Sequence, residues 1–215
     1  MPTQWIICDL GKVLVDFDHR SIARRLETLL AARQPGASSP GEPALHDFLF
    51  RPRGASGRSF NQQLDRGEAD IPDVAAALAG ELGVVLPAED LEPVWAAIFR
   101  ETHPGMVRFL VAARRAGARL ALCSNTNRAH WSYIEAHYPE LRLGWDALFL
   151  SFRMGIAKTD AGFFDRVVEE TGCAAGELFF VDDLQENVEA ATRAGLRGFL
   201  YRGVAPTPVQ AGLDA

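Results

Sequence analysis

Trp5-Ile6-Ile7-Cys8 runs straight into Asp9-Leu10-Gly11. A short, wholly apolar run that stops at a carboxylate and a glycine reads as a strand buried on both faces, ending in a tight turn. The same pattern recurs down the chain. Leu120-Ala121-Leu122-Cys123 ends at Ser124-Asn125, Ala147-Leu148-Phe149-Leu150 at Ser151, and Leu178-Phe179-Phe180-Val181 at Asp182-Asp183. Gly198-Phe199-Leu200-Tyr201 is a weaker fifth run.

Helical patterns fill the gaps. Pro104 to Ala116 is amphipathic and closes at Gly117, Arg128 to His137 stops before Pro139, Asp160 to Thr171 stops at Gly172, and Leu184 to Ala194 stops at Gly195. Glycine just past the last periodic residue is a common helix terminator. Strands alternating with helices imply an α/β fold, a doubly wound parallel-sheet, Rossmann-like core covered on both faces.

The interval from Asp16 to Arg100 breaks that alternation and reads as helical: Ser21 to Arg33, Arg58 to Arg66, Asp73 to Leu82 and Asp90 to Phe99. Gln34 to Pro43 and Arg51 to Arg58 read as loops between them. The expectation is a helical cap of residues 16–100 inserted in a core of residues 1–15 and 101–215. Arg51, Arg53 and Arg58 read as a solvated face in preference to a substrate clamp, and the chain after Arg202 as a loose extension.

Composition narrows the function classes. The chain has 215 residues, 48% of them hydrophobic, enough to bury a core without disulfides. Its net charge of -6 argues against a nucleic-acid binder, which needs a basic face. Cys8, Cys123 and Cys173 have no metal-type spacing and read as reduced thiols of a cytoplasmic protein. The first residues lack a signal-peptide pattern, and no apolar run is long enough for a membrane span. Lysine occurs only at Lys12 and Lys158, in a chain otherwise furnished with arginine. A lone lysine draws attention as a compact point charge.

In an open parallel sheet, ligands bind beyond the carboxyl ends of the strands. Those ends carry Asp9, then Ser124 and Asn125, then Lys158 after a short loop, then Asp182 and Asp183. Carboxylates gathered at one edge repel each other unless a cation joins them, and hard oxygen donors suit Mg²⁺.

With those residues in hand, the chain resembles the haloacid dehalogenase (HAD) superfamily over nearly its whole length. Asp9-Leu10-Gly11-Lys12-Val13, Ser124-Asn125-Thr126-Asn127, Lys158, and Asp182-Asp183 with Asn187 match its four motifs in order. Alone each motif is weak; four in sequence, each after a strand, are specific. The resemblance implies that Asp9 is a nucleophile forming an acyl phosphate. It implies that Ser124 and the Asn125 backbone N–H hold the phosphoryl group and that Lys158 neutralises it. It implies Mg²⁺ on Asp9, the Gly11 carbonyl and Asp183, with Asp182 and Asn187 orienting that set. The implied partner is a small phosphorylated metabolite. Ser124 to Arg128 and Arg66-Gly67-Glu68 look particularly like the bacterial sugar-phosphate phosphatases, α-glucose-1-phosphatases among them.

Gly11 departs from the pattern. Most phosphatases of the superfamily carry a second aspartate there, which protonates the leaving oxygen and then deprotonates water. Its loss removes help typically worth about 10²–10⁴-fold. A good leaving group, a substitute residue (Asp16, Asp18, His19 or Glu68), or a weakly active or non-catalytic scaffold are the open explanations, and activity is the favoured one, since the sugar-phosphate branch also carries Asp-x-Gly. Thr159 departs too, since many relatives have proline after the lysine; a slightly looser loop is expected. Lys12 is either a phosphate contact or a solvent-facing turn residue. Haloacid dehalogenase chemistry is the remaining rival; it needs no metal, so Asp182-Asp183 argues against it. Each site residue also has a plain structural reading: Ser124 as a helix cap, Asp182 and Asp183 as a helix-start pair, Asn187 as a solvated helix residue, Lys158 as a surface lysine. The five histidines read as structural, and Trp95, Phe99 and Phe109 as core.

Overall fold

A computed structural model describes residues 4–33 and 39–213. Residues 34–38 of the expected loop from Gln34 to Pro43, and residues 1–3, lie outside the described set. The elements follow in chain order as β1 (Trp5–Cys8), β2 (Val15–Phe17), α1 (Arg20–Arg33), α2 (Glu42–Phe50), α3 (Phe60–Asp65), α4 (Ile71–Leu82), α5 (Ala88–Ala96), β3 (Phe99–Thr102) and α6 (Pro104–Arg115). Then come β4 (Arg119–Ser124), α7 (Arg128–His137), β5 (Ala147–Leu150), α8 (Ser151–Met154), α9 (Phe163–Thr171), β6 (Leu178–Asp182), α10 (Gln185–Arg193), β7 (Arg197–Leu200) and α11 (Pro208–Ala211).

Five strands form one sheet in the order β5-β4-β1-β6-β7, all parallel. The chain leaves β1, builds outward through β4 and β5, then returns to the other side of β1 with β6. That reversal places the switch-point crevice at the end of β1, where ligands bind in open α/β sheets. Alternate side chains explain the apolar runs. Ile6, Cys8, Phe179 and Val181 join one core cluster, while Trp5, Ile7, Leu178 and Phe180 join another on the opposite face.

Helices α1 to α5 gather round a third apolar cluster that includes Ile22, Leu26, Leu49, Val74, Leu78 and Trp95. Two short strands missed by the pattern reading, β2 and β3, pair antiparallel and carry the chain into and out of these helices. The helix expected to reach Phe99 therefore ends at Ala96, and Phe99 opens a strand. Helix α2 was also missed: Pro43 sits in its first turn, where the absent N–H costs nothing.

The arginines of 51–58 are mutual staples of this helical region. Arg53 lies over Phe48 and Phe60 and pairs with Glu81, and Arg58 pairs with Glu68. The chain after Arg202 is a correction: it is packed down. Thr207 forms a capping box with Gln210 at the start of α11, and Ala211 and Leu213 are buried in the core. No helix among the described residues is long and apolar enough to cross a membrane.

Candidate active site

Asp9 caps β1 at the centre of the sheet and is 6% exposed. Lys158, 2% exposed, places its Nζ 2.6 Å from Asp9 Oδ1 and 2.6 Å from Asp182 Oδ2. The loop holding it is tied down on three sides. The Asn125 side chain accepts from the Lys158 backbone N–H at 3.0 Å, Asp160 accepts from the Ala157 N–H at 2.8 Å, and Arg66 pairs with both Asp160 oxygens. Thr159 stands within this closed turn.

Asp182 is fully buried, and its two oxygens accept from Lys158, from the Asn187 side chain at 3.0 and 3.1 Å, and from the Leu184 N–H at 2.9 Å. Asn187 is itself 2% exposed, so the solvated reading of it fails. The surface reading of Lys158 fails with it.

Three carboxylates face one ammonium. Burial pushes the Asp9 carboxyl up to about 7 against the pull of Lys158, with Asp182 adding to the rise. Burial and Asp182 raise Asp183. Burial alone would lower Lys158, but Asp182 and Asp9 outweigh it and hold the ammonium charged. Burial likewise raises the Cys8 and Cys123 thiols, which keeps them unreactive.

Asp9, Asp182 and Asp183 each offer an oxygen within 4.8 Å of the others. The Asn187 Oδ1 is buried and has no hydrogen-bond partner among the described residues. Asp182 is engaged by its own donors, and Asp9 by Lys158 on one oxygen. Hard oxygens with surplus negative charge fit Mg²⁺.

A cavity of about 220 Å³ opens above these groups, between the sheet edge and the helical region. Asp9, Gly11, Ser124, Asn125, Lys158, Asp183 and Asn187 all line it. The structure thus brings together the residues singled out from sequence, with Asp182 just beneath. The helix cap at α7 is Asn127, whose Oδ1 accepts from the His130 N–H at 3.0 Å, so Ser124 is not the cap. Lys12 is a turn residue, paired with Asp16 at 3.1 Å.

With this geometry in place, comparison with known proteins is direct. The sequence profile of haloacid dehalogenase-like hydrolases matches residues 3–195. The chain belongs to that family. A sesquiterpene phosphatase of Aspergillus oryzae is 28% identical over 143 residues, spanning 64% of this hydrolase and 69% of the relative. A D-ribitol-5-phosphate phosphatase of Bacteroides thetaiotaomicron is 26% identical over 145 residues, with the same 64% and 69% spans. A HAD family enzyme of Bacteroides thetaiotaomicron shares the fold, with a TM-score of 0.75 at 18% identity over 97% of this chain and 98% of its own. That enzyme has been solved in complex with magnesium and inorganic phosphate; in that form the TM-score is 0.74 at 19% identity, over 95% and 96% of the two chains.

Of the four substitutes considered for the missing second aspartate of this hydrolase, only His19 lines the cavity. Asp16 pairs with Lys12 and His103, Asp18 with Arg100, and Glu68 with Arg58. Burial holds His19 down at about 4 and His130 at about 3, so both rings are neutral near neutral pH. Phe17, Ile98 and Phe99 add apolar surface to the same cavity. Phe99, read as core, is therefore also a wall residue.

Asp65 was missed. It ends α3 on the helical side and lines the same cavity. One signal was available: a carboxylate in the last turn of a helix opposes the macrodipole, so some other interaction must hold it there.

Proposed function

We propose that this hydrolase is a Mg²⁺-dependent phosphomonoester phosphatase acting through an aspartyl phosphate at Asp9. The observation that carries the reading is the Lys158 ammonium fixed 2.6 Å from both Asp9 and Asp182, on the floor of a cavity walled by the helical region. Asp9 attacks phosphorus, and the ester P–O bond breaks. Ser124 and the Asn125 N–H take phosphoryl oxygens, while Lys158 offsets the charge that accumulates there. Bound Mg²⁺ would offset the charge of Asp9 and of a phosphoryl oxygen. Asp9, the Gly11 carbonyl and Asp183 would hold it, with Asp182 and Asn187 keeping that set oriented.

Residues 16–100 serve as the cap in this reading, with 1–15 and 101–215 as the catalytic core. The cap supplies Phe17, His19, Asp65, Ile98 and Phe99 to the leaving-group side of the cavity. The substrate is a small phosphorylated metabolite, a sugar phosphate by preference. The motif likeness to the α-glucose-1-phosphatase branch supports that preference, as does the ribitol-phosphate relative.

Phosphate release from sugar phosphates, glycerol phosphate and p-nitrophenyl phosphate, with and without Mg²⁺ and with Asp9→Asn alongside, tests the proposal. Mg²⁺-dependent turnover lost in the variant supports it. Chloride release from 2-haloacids without metal would assign the site to dehalogenation, and folded protein that binds Mg²⁺ yet turns over nothing would make it a non-catalytic scaffold.

A further inference from the structure

We infer that Asp65, on cap helix α3, is the general acid and base of this site, filling the role that Gly11 cannot. The inference rests on the aspartyl-phosphate reading above and adds a residue to it.

Six titratable side chains line the cavity: Asp9, His19, Asp65, His130, Lys158 and Asp183. Asp9 is the nucleophile, Lys158 is locked between two carboxylates, and Asp183 belongs to the cation set. The neutral His19 and His130 are poor proton donors and weak bases. Asp65 is left, and it reaches the same cavity from the end of helix α3.

Its carboxylate is held by amides. Asn127 Nδ2 donates to Oδ1 at 2.9 Å, and Asn61 Nδ2 donates to Oδ2 at 2.9 Å. Neither donor carries a full charge, so each pulls the carboxyl down less than a salt bridge would. The adjacent Arg66 guanidinium is turned to Asp160 on the core. Burial pushes Asp65 up to about 6, against the opposing pull of Asn127, Asn61 and Arg66. Helices α2 and α8 pack against α3. In the cavity the neutral His130 and His19 share the lining with Asp65, and Arg66 is the cation that opposes the rise without reversing it. A carboxyl poised near the working pH can both give and take a proton.

The helix end is also fixed in position. Ser151 Oγ donates to the Asp65 carbonyl and accepts from the Thr126 N–H at 2.9 Å. A side-chain carbon on Gly67 would lie 2.5 Å from the Phe152 carbonyl oxygen, so only glycine permits this approach of cap to core.

The proton balance closes. Asp9 attacks phosphorus, the ester P–O bond breaks, and the leaving alkoxide takes the Asp65 proton to become an alcohol. The Asp65 carboxylate then takes a proton from water as its oxygen attacks the aspartyl phosphate. The bond to Asp9 breaks, inorganic phosphate leaves, and both side chains return to their starting states.

The test compares wild-type and Asp65→Asn on p-nitrophenyl phosphate and on glycerol phosphate, by stopped flow and steady state. The nitrophenolate needs no proton to leave, whereas the glycerol alkoxide does. In Asp65→Asn, glycerol phosphate turnover is expected to fall about 10²–10⁴-fold. The first burst of nitrophenol should persist near the wild-type rate, with phosphoenzyme accumulating behind it. A nitrophenol burst slowed as much as glycerol phosphate turnover, or no loss on either substrate, would make Asp65 a strut between cap and core and overturn the inference. Should the variant not fold, the wild-type rate across aryl and alkyl phosphates decides: a shallow dependence on leaving-group pKa supports an acid, and a steep one overturns it. Failure of wild-type to turn over any phosphoester would instead sink the phosphatase reading itself.

Discussion

The Phe17 ring occupies the space that a side chain on Gly11 would need: a Cβ there would lie 2.5 Å from Phe17 Cε1. Gly11 is not held in the left-handed backbone region, so the ring, and not the main chain, forbids a larger residue. The absent aspartate and the ring are one feature. Gly11→Asp alone should therefore cost about 1–3 kcal/mol of stability through overpacking, without a gain in activity. Adding Phe17→Ala should recover the unfolding midpoint, and in an Asp65→Asn background the pair should restore alkyl phosphate turnover. A stable, fully active Gly11→Asp single variant would contradict the account.

His130 gives the protein a pH response. Its Nε2 lies 3.2 Å from the Trp95 carbonyl, to which it donates, and its Nδ1 lies 2.9 Å from Asn127 Nδ2, from which it accepts. Both ring nitrogens are satisfied only in the neutral form. Burial, with His19 adding to it, depresses the folded pKa to about 3 from 6.5. The unfolded chain therefore binds the extra proton more readily. The stability linked to this ring is fully present above pH 6.5 and is lost as pH falls toward 3, at up to about 1.4 kcal/mol per pH unit. Because the raised carboxyls of Asp9 and Asp65 titrate in the same range with the opposite sign, the ring is read by difference. The gap in urea midpoint between wild type and His130→Gln should change with this slope between pH 6.5 and pH 4.5, and a gap independent of pH would contradict the assignment.

Lys158 is the cation on which two buried carboxylates depend. Lys158→Met should abolish turnover and destabilise the fold by about 3–5 kcal/mol, since it leaves Asp9 and Asp182 buried without a counter-charge. An unchanged urea midpoint would show that those carboxylates do not depend on it.

Arg66 ties the helical region to the loop that carries Lys158, through Asp160. Arg66→Met should raise KM more than it lowers kcat, and should speed amide exchange at residues 157–160. Loss of kcat alone, with exchange unchanged, would argue against the latch.

The sheet was legible because its strands are buried on both faces, and such strands announce themselves as unbroken apolar runs closed by polar residues. The site residues at strand ends came with them: once Trp5 to Cys8 is a strand, Asp9 must lie at its carboxyl end. The pair β2 and β3 was illegible because Val-Asp-Phe and Phe-Arg-Glu-Thr are too short and too mixed to alternate. The packed tail was hidden for a similar reason, as Ala211 and Leu213 are isolated anchors in a polar stretch. Asp65 was missed because its position is set by tertiary contacts. Asn127, Ser151 and Phe152 lie far off in sequence, and no local pattern reports that they converge on one helix end.

The most direct measurement is of the covalent intermediate. The hydrolase would be mixed with a phosphomonoester and Mg²⁺, quenched in acid within a turnover, and analysed by intact mass and peptide mapping. The account predicts one hydroxylamine-labile phosphoryl group on the peptide carrying Asp9, absent in Asp9→Asn. Phosphate release that continues in Asp9→Asn, with no adduct in either protein, would contradict it.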